Sequence, residues 1–213
     1  KLPPPFTLRH SMRLYQMQDS GNFYKVRLTL AQLGVPAELV DVDILGGESR
    51  TDAFLGTLNP NGRVPVLEID ERTALPESDA IIWYFAESTR LVPTDKLARA
   101  RVLQWMFFEQ YSHEPYIATV RYWVHIVRDA DGFARQIEER TPGGYAALDV
   151  MDRHLDTHEF LAGDYSIADV ALYAYTHVAH QGGFDLAAYA NVNRWLDAVA
   201  NQPGHIDMEA RSW

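Results

Sequence analysis

Residues 59–78 read NPNGRVPVLEIDERTALPES. Pro65 is followed by Val66, Leu67 and Ile69, the pattern of a short strand. Proline cannot donate to a sheet ladder, so it belongs at the first residue of a strand or on an edge. The Val64-Pro65 bond is therefore a candidate for the cis form, which is common enough only before proline. Such a bond would turn the Val64 backbone outward and leave its N–H and C=O to pair with an extended peptide ligand. Glu77-Ser78 then stands just before the apolar run Ala80-Ile81-Ile82. Ser78 is expected to cap a helix whose first turn offers N–H groups and a positive dipole end to a carboxylate.

Upstream, residues 12–16 form a strand candidate bounded by the polar cluster 18–22. Phe23, Val26, Leu30 and Leu33 lie on one helix face, Gly34 suits a helix C-terminus and Pro36 prevents continuation. Residues 37–42 read as a second strand, and 45–58 as irregular or briefly helical. Residues 66–69 and 73–75 flank Asp70-Glu71-Arg72, a hairpin signal, and a helix over 78–88 completes a β-α-β-α-β-β-α order. That order alone implies a small α/β domain over 12–89.

A linker over 90–95 leads into a region, 96–213, that reads as all helical. Leu103, Met106 and Phe107, then Ile117, Val120, Val124 and Val127, keep helical spacing, with a kink expected at Pro115. A helix is expected over 133–140, with a restart at Thr141-Pro142 running to about Leu155. Ser166-Ile167-Ala168-Asp169 reads as a capping box with Asp in place of the commoner Glu or Gln, and belongs to folding, not catalysis. A last helix is expected over 193–200.

Composition sets bounds. The chain has 213 residues and a formal net charge of −10, which argues against a nucleic-acid surface. It has no cysteine, so disulfides, thiolate metal sites and a catalytic protein thiol are excluded. No apolar run reaches the roughly 18 residues of a membrane span. Residues 1–11, KLPPPFTLRHS, lack a signal-peptide core and are expected to be an expression tail before Met12, with cytoplasmic residence. His154 and His158 are four apart, but no third ligand has a useful spacing, and a solvated face is the expected reading.

The proline loop, the Glu-Ser pair and the capping box preceded by Gly163-Asp164 together resemble the glutathione transferase family. The segment SGNFYKVRLTLAQLG looks like the active-site segment of its bacterial, serine-type, theta- and zeta-like branches. The resemblance covers the chain from Met12 onward. It implies a thioredoxin-like domain that binds glutathione, followed by an all-helical domain, in a homodimer. Glutathione would be a co-substrate, with no other cofactor, no metal and neither nucleic-acid nor membrane partners.

A free thiol of this type titrates near about 8.5, so a transferase must favour its thiolate. A donor at a helix N-terminus does so by hydrogen bond and dipole. The resemblance implies Ser20 in that role, with Asn22 as second candidate and Tyr15 as third; a turn and helix cap is the bland alternative for 20–22. It implies backbone pairing by Val64 beside cis-Pro65, Glu77 on the γ-glutamyl amine, Ser78 on its carboxylate, and Arg50 or Arg63 on the glycyl carboxylate. A hydrophobic electrophile would sit between the domains, near Tyr111, His113, Tyr116 and Arg121, with Tyr116 named as lining; plain core packing is the alternative. The activity implied is detoxifying conjugation. Glutathione-dependent disulfide or peroxide reduction, and a non-catalytic binding protein of the same fold, are the rival readings.

Overall fold

The computed structural model describes residues 12–70 and 72–213. The 1–11 stretch read as an expression tail lies outside the described residues, as does Glu71 of the expected hairpin turn. The first half runs β1 (Arg13–Gln16), α1 (Gly21–Leu33), β2 (Glu38–Asp41), α2 (Asp52–Thr57), β3 (Val66–Asp70), β4 (Thr73–Pro76) and α3 (Ser78–Ala86). The second half holds α4 (Lys96–Phe108), α5 (Glu114–Arg121), α6 (Ala134–Leu155), α7 (Ile167–Thr176) and α8 (Ala190–Ala200).

The four strands lie in the order β2-β1-β3-β4. β1 pairs parallel to β2, with Leu14 opposite Leu39, and antiparallel to β3, with Leu14 opposite Leu67. β3 pairs antiparallel to β4, with Val66 opposite Pro76 and an irregularity between Glu68 and Asp70. This is a thioredoxin-like sheet followed by a helical domain. Pro65 stands one residue before β3, where its missing N–H costs the ladder nothing.

α1 forms the wall between the two halves. It packs against α3 on one side and α7 on the other, and Phe23, Tyr24, Val26, Leu28 and Leu30 are all fully buried. Gly34 ends it in the left-handed conformation, φ 64°, as its place in the sequence predicts. α7 is buried along its whole length. Its start carries the predicted capping box: Ser166 Oγ accepts from the Ala168 N–H at 3.3 Å, and Asp169 Oδ2 accepts from the Ser166 N–H at 3.0 Å. Asp169 Oδ1 further accepts from the Leu161 N–H and from Trp195 Nε1, both at 2.9 Å.

Two helical expectations change. The break at Thr141-Pro142 does not occur; α6 runs unbroken for 22 residues with Pro142 inside it. Thr141 Oγ1 donates to the Ile137 carbonyl at 2.7 Å. Gly143 and Gly144 let the rings of Tyr116 and Phe184 lie directly on the backbone, where an added Cβ would meet either ring at 2.4 Å. Burial of Ala147, Leu148, Met151 and Leu155 then holds the helix together across the proline. The interruption expected at Pro115 takes the form of a wider π turn over Glu109–His113. Pro115 thereby falls in the first turn of α5, where proline is tolerated.

Candidate active site

A cleft opens where the loop before β3, the starts of α1 and α3, and the π turn meet. Asn59, Arg63, Val64, Pro65, Asn22, Glu77, Ser78, Gln110 and Glu114 line it. The loop is built around Asn59, which is buried. Its Nδ2 donates to the Arg63 carbonyl at 2.9 Å, and its Oδ1 accepts from the Asn61 N–H at 2.9 Å. That brace leads into Val64–Pro65, whose peptide bond is cis.

Glu77 has φ 74° and ψ 113°, a conformation unusual for a non-glycine residue, and occupies the cap position of α3 without a side-chain cap bond. Ser78, expected as the cap, is instead the first residue of the helix. The left-handed turn at Glu77 takes over the chain reversal, so the Ser78 hydroxyl turns to other partners. Its Oγ donates to Asn22 Oδ1 at 3.1 Å, and Lys25 Nζ lies 3.5 Å away.

Ser20 caps α1, its Oγ accepting from the Phe23 N–H at 3.4 Å. It is half-buried and does not belong to the lining just described. The residue before it is held from the helical domain: Arg121 donates to the Asp19 carbonyl at 2.8 Å and to Asp19 Oδ1 at 2.9 Å. Asn22 does line the cleft, with Nδ2 donating to Glu114 Oε1 at 2.8 Å and its backbone N–H donating to Tyr175 Oη at 3.2 Å. Gly21 between them is required by packing, since a Cβ there would lie 2.5 Å from the Tyr175 ring.

The remaining sequence candidates separate. Arg63 lines the cleft and is exposed, whereas Arg50, also exposed, donates to the Asn61 carbonyl at 3.0 Å. Tyr15 faces another hollow and donates to Glu68 Oε2 at 2.8 Å. Burial would raise the Glu68 carboxyl, but hydrogen bonds from Arg13 and Tyr15 outweigh it and hold its pKa below the usual range. Tyr116 shares a hollow of about 270 Å³ with Phe108, Tyr111, Ser112 and Val150, formed wholly by the helical domain. His113 and Arg121 are buried and take no part in it. His154 stacks on His158 at 4.1 Å and its Nε2 bonds the Leu161 carbonyl at 2.9 Å.

Sequence reasoning missed the layer beneath the cleft. Lys25 is fully buried, and its Nζ lies 2.8 Å from Glu109 Oε2, 3.2 Å from Asp79 Oδ1 and 3.5 Å from Glu114 Oε2. Gln110 Nε2 donates to both Glu109 Oε2 and Glu114 Oε2 at 2.8 Å. Burial pulls the Lys25 pKa down, but the three carboxylates outweigh it and hold it well above its ordinary value. Burial pushes Glu109 well up, and Asp79 and Glu114 add to that against the pull of Lys25. The spacing gave no signal: Lys25 lies off the face formed by Phe23, Val26, Leu30 and Leu33, and its helix neighbours three and four positions away include the polar Asn22 and Thr29. A buried lysine demands an acidic partner.

Sequence profiles for this fold match both halves: "Glutathione S-transferase, N-terminal domain" over residues 14–92, and "Glutathione S-transferase, C-terminal domain" over residues 134–198. The chain belongs to the glutathione S-transferase family. The glutathione S-transferase structure from Pseudomonas fluorescens Pf-5 is 46% identical, superposes with a TM-score of 0.90, and covers 93% of this chain and 99% of that one. Maleylacetoacetate isomerase of Pseudomonas aeruginosa is 31% identical, covering 90% of this chain and 92% of the relative. The Escherichia coli disulfide-bond oxidoreductase YfcG is 28% identical, covering 85% and 87%. Elongation factor 1-gamma of Artemia salina is 29% identical over 89% of this chain, but the chain spans only 44% of that protein's length. The relatives thus bear the names of several different activities.

Proposed function

We propose that the chain binds glutathione in the cleft beside Val64–Pro65 and transfers its thiolate to an electrophilic small molecule. The observation that carries this reading is the convergence of three features on one cleft: the Val64 backbone beside a cis proline, the α3 N-terminus at Ser78, and the first turn of α1. Val64 would pair with the cysteinyl unit. Ser78 and the α3 amides would take the γ-glutamyl carboxylate, and Glu77 its ammonium. Arg63 is the better placed of the two arginines for the glycyl carboxylate. In the transfer, the sulfur forms a bond to the electrophilic carbon while the leaving group departs with its bonding pair. Ser20 is the proposed thiolate donor: its Oγ already accepts from Phe23, so its O–H is available to donate.

A second reading is glutathione-dependent disulfide reduction, with Asn22 as the donor. What favours it is that Asn22, not Ser20, lines the cleft. The chain has no cysteine, so either reaction draws its sulfur from the ligand. A cytoplasmic homodimer completes the proposal. Phe107 at 68% and Tyr111 at 85% exposure offer an apolar surface to a second copy, and sedimentation would count the chains. No helix among the described residues is long and apolar enough to cross a membrane.

The deciding experiment is thiolate absorbance of bound glutathione across pH in wild type, Ser20→Ala and Asn22→Ala. A depressed thiol pKa that returns towards about 8.5 only in Ser20→Ala supports the first reading. Its return only in Asn22→Ala supports the second. Absence of binding would sink both.

A further inference from the structure

Lys25 carries one positive charge against the three carboxylates of Asp79, Glu109 and Glu114. Fully ionised, the group would hold two negative charges in excess. Lys25 and Glu109 are completely buried, while the side chains of Asp79 and Glu114 are 15% and 20% exposed. Uncompensated charge at such depth costs several kcal/mol per ion, so a carboxylate there takes up a proton instead. Glu109 Oε1 and Asp79 Oδ2 are buried without hydrogen-bond partners, which marks them as the places where full ionisation is least supported.

Among the described residues, Lys25 is the cation within salt-bridge distance of these carboxylates; Arg63, on the loop before β3, lines the same cleft but is exposed. α1 presents Lys25 itself, and α3 presents Asp79 together with Glu77, whose charge also acts on Asp79. The π turn presents Glu109 and His113, and α5 presents Glu114. His113 is kept neutral by burial and by Lys25, its pKa pushed down to about 3. From α7 come the uncharged Thr176 and Tyr175; burial pushes the phenol of Tyr175 up, so it stays protonated.

The cluster reaches the cleft at one end. Glu114 and Glu77 both line it, and Glu114 is tied through Gln110 to Glu109. A ligand bearing an ammonium group, seated against Glu77 and Glu114, would bring positive charge to that end of the cluster, while its own carboxylate, on Ser78, is answered by the α3 amides and their dipole end. We propose that ligand binding in this cleft is linked to proton release: the ligand's ammonium displaces a proton shared by Asp79 and Glu109, which passes to buffer. Both carboxylates are then ionised, facing Lys25 and the new cation. This rests on the reading of the cleft as a glutathione site and adds a pH-linked selection for the α-amino group. An amine-bearing ligand can draw the proton out; an otherwise identical ligand without the amine cannot.

The test is calorimetry with S-methylglutathione, which has no thiol proton to confuse the count, in two buffers of different ionisation enthalpy at neutral pH. Roughly one proton should be released per ligand bound, shown by heats that differ between the buffers. Glu109→Gln and Asp79→Asn each remove one negative charge permanently, so each should abolish the release. The S-methyl analogue lacking the γ-glutamyl amine should bind without releasing a proton. Binding of S-methylglutathione with the same heat in both buffers would overturn the linkage and leave the glutathione reading standing. Undiminished release in both variants would overturn the assignment to this cluster. No binding at all would overturn the glutathione reading, and the linkage with it.

Discussion

Ser78 Oγ donates to Asn22 Oδ1 at 3.1 Å, across 56 residues of sequence, and so fastens the first turn of α3 to the first turn of α1. Two helix N-termini are thereby set side by side at one cleft, and the partial positive charge of both reaches the same small volume. Asn22 in turn is fixed by Glu114 and Tyr175 of the helical domain. The floor of the cleft is therefore assembled from both domains.

Ser78→Ala removes a hydroxyl proposed to meet the ligand carboxylate and frees Asn22 to swing. Loss of a hydrogen bond to a charged group costs about 1.5–3 kcal/mol. The dissociation constant for glutathione should therefore rise roughly tenfold to hundredfold by titration calorimetry. An unchanged affinity would remove Ser78 from the site.

Gly21→Ala places a methyl 2.5 Å from the Tyr175 ring. The ring must move, and the Asn22 N–H loses its partner. We expect a loss of about 1–3 kcal/mol in urea denaturation, together with weaker glutathione binding. Retention of full stability would show that α1 and α7 can part there at no cost.

The capping box separates a local effect from a long-range one. Ser166→Ala should cost about 0.5–2 kcal/mol, a lost cap. Asp169→Ala should cost considerably more, because the Leu161 N–H, Ser166 N–H and Trp195 Nε1 are all left without their acceptor in a buried setting. Each such orphan costs about 1–3 kcal/mol. Equal losses in the two variants would contradict this ranking.

Acid sensitivity should trace in part to His113. Burial, and secondarily Lys25, push its pKa down to about 3, whereas an unfolded histidine titrates near about 6.5. Between those values the unfolded chain binds the extra proton, so stability is full above pH of about 6.5 and falls as pH drops towards about 3. His113→Gln should flatten the stability-against-pH curve below pH of about 6.5 by up to about 1.4 kcal/mol per pH unit. Urea midpoints from neutral pH downward provide the measurement; parallel curves for the two proteins would refute it.

Much of the fold was legible because its signals are local. Pro65 could stand only at a strand entry, Gly34 only past a helix end, and Ser166 with Asp169 satisfies a helix start within four residues. The order of strands and helices followed from such punctuation. Pro142 misled because its local message is a helix start, and what overrode it was tertiary: Tyr116 and Phe184 packing on the bare backbone of Gly143 and Gly144. The Lys25 cluster was invisible for the related reason that its partners stand 54, 84 and 89 positions away, and nothing in a linear pattern pairs them. Glu77 at the cap, with Ser78 displaced into the helix, shows the same limit at the scale of one residue: the pair was legible, the backbone turn that divides their roles was not.

The contacts of α1 bear on ancestry as well as on chemistry. Besides Asn22 and Lys25, Arg27 donates to the Met208 carbonyl, Tyr24 to the Ile206 carbonyl, and Gln32 to Tyr165. Arg121 reaches back to Asp19. The loop between α3 and α4 looks like the natural place to splice one relative's sheet domain onto another's helices, but a splice there would set α1 of one relative against the helices of another and break every one of these pairings. For inheritance, α1 belongs with the helical half that follows it. A working hybrid would have to carry residues 18–32 together with their partners in α5, α7 and the C-terminal segment, so the seam along which this protein can be recombined is not the seam between its two halves.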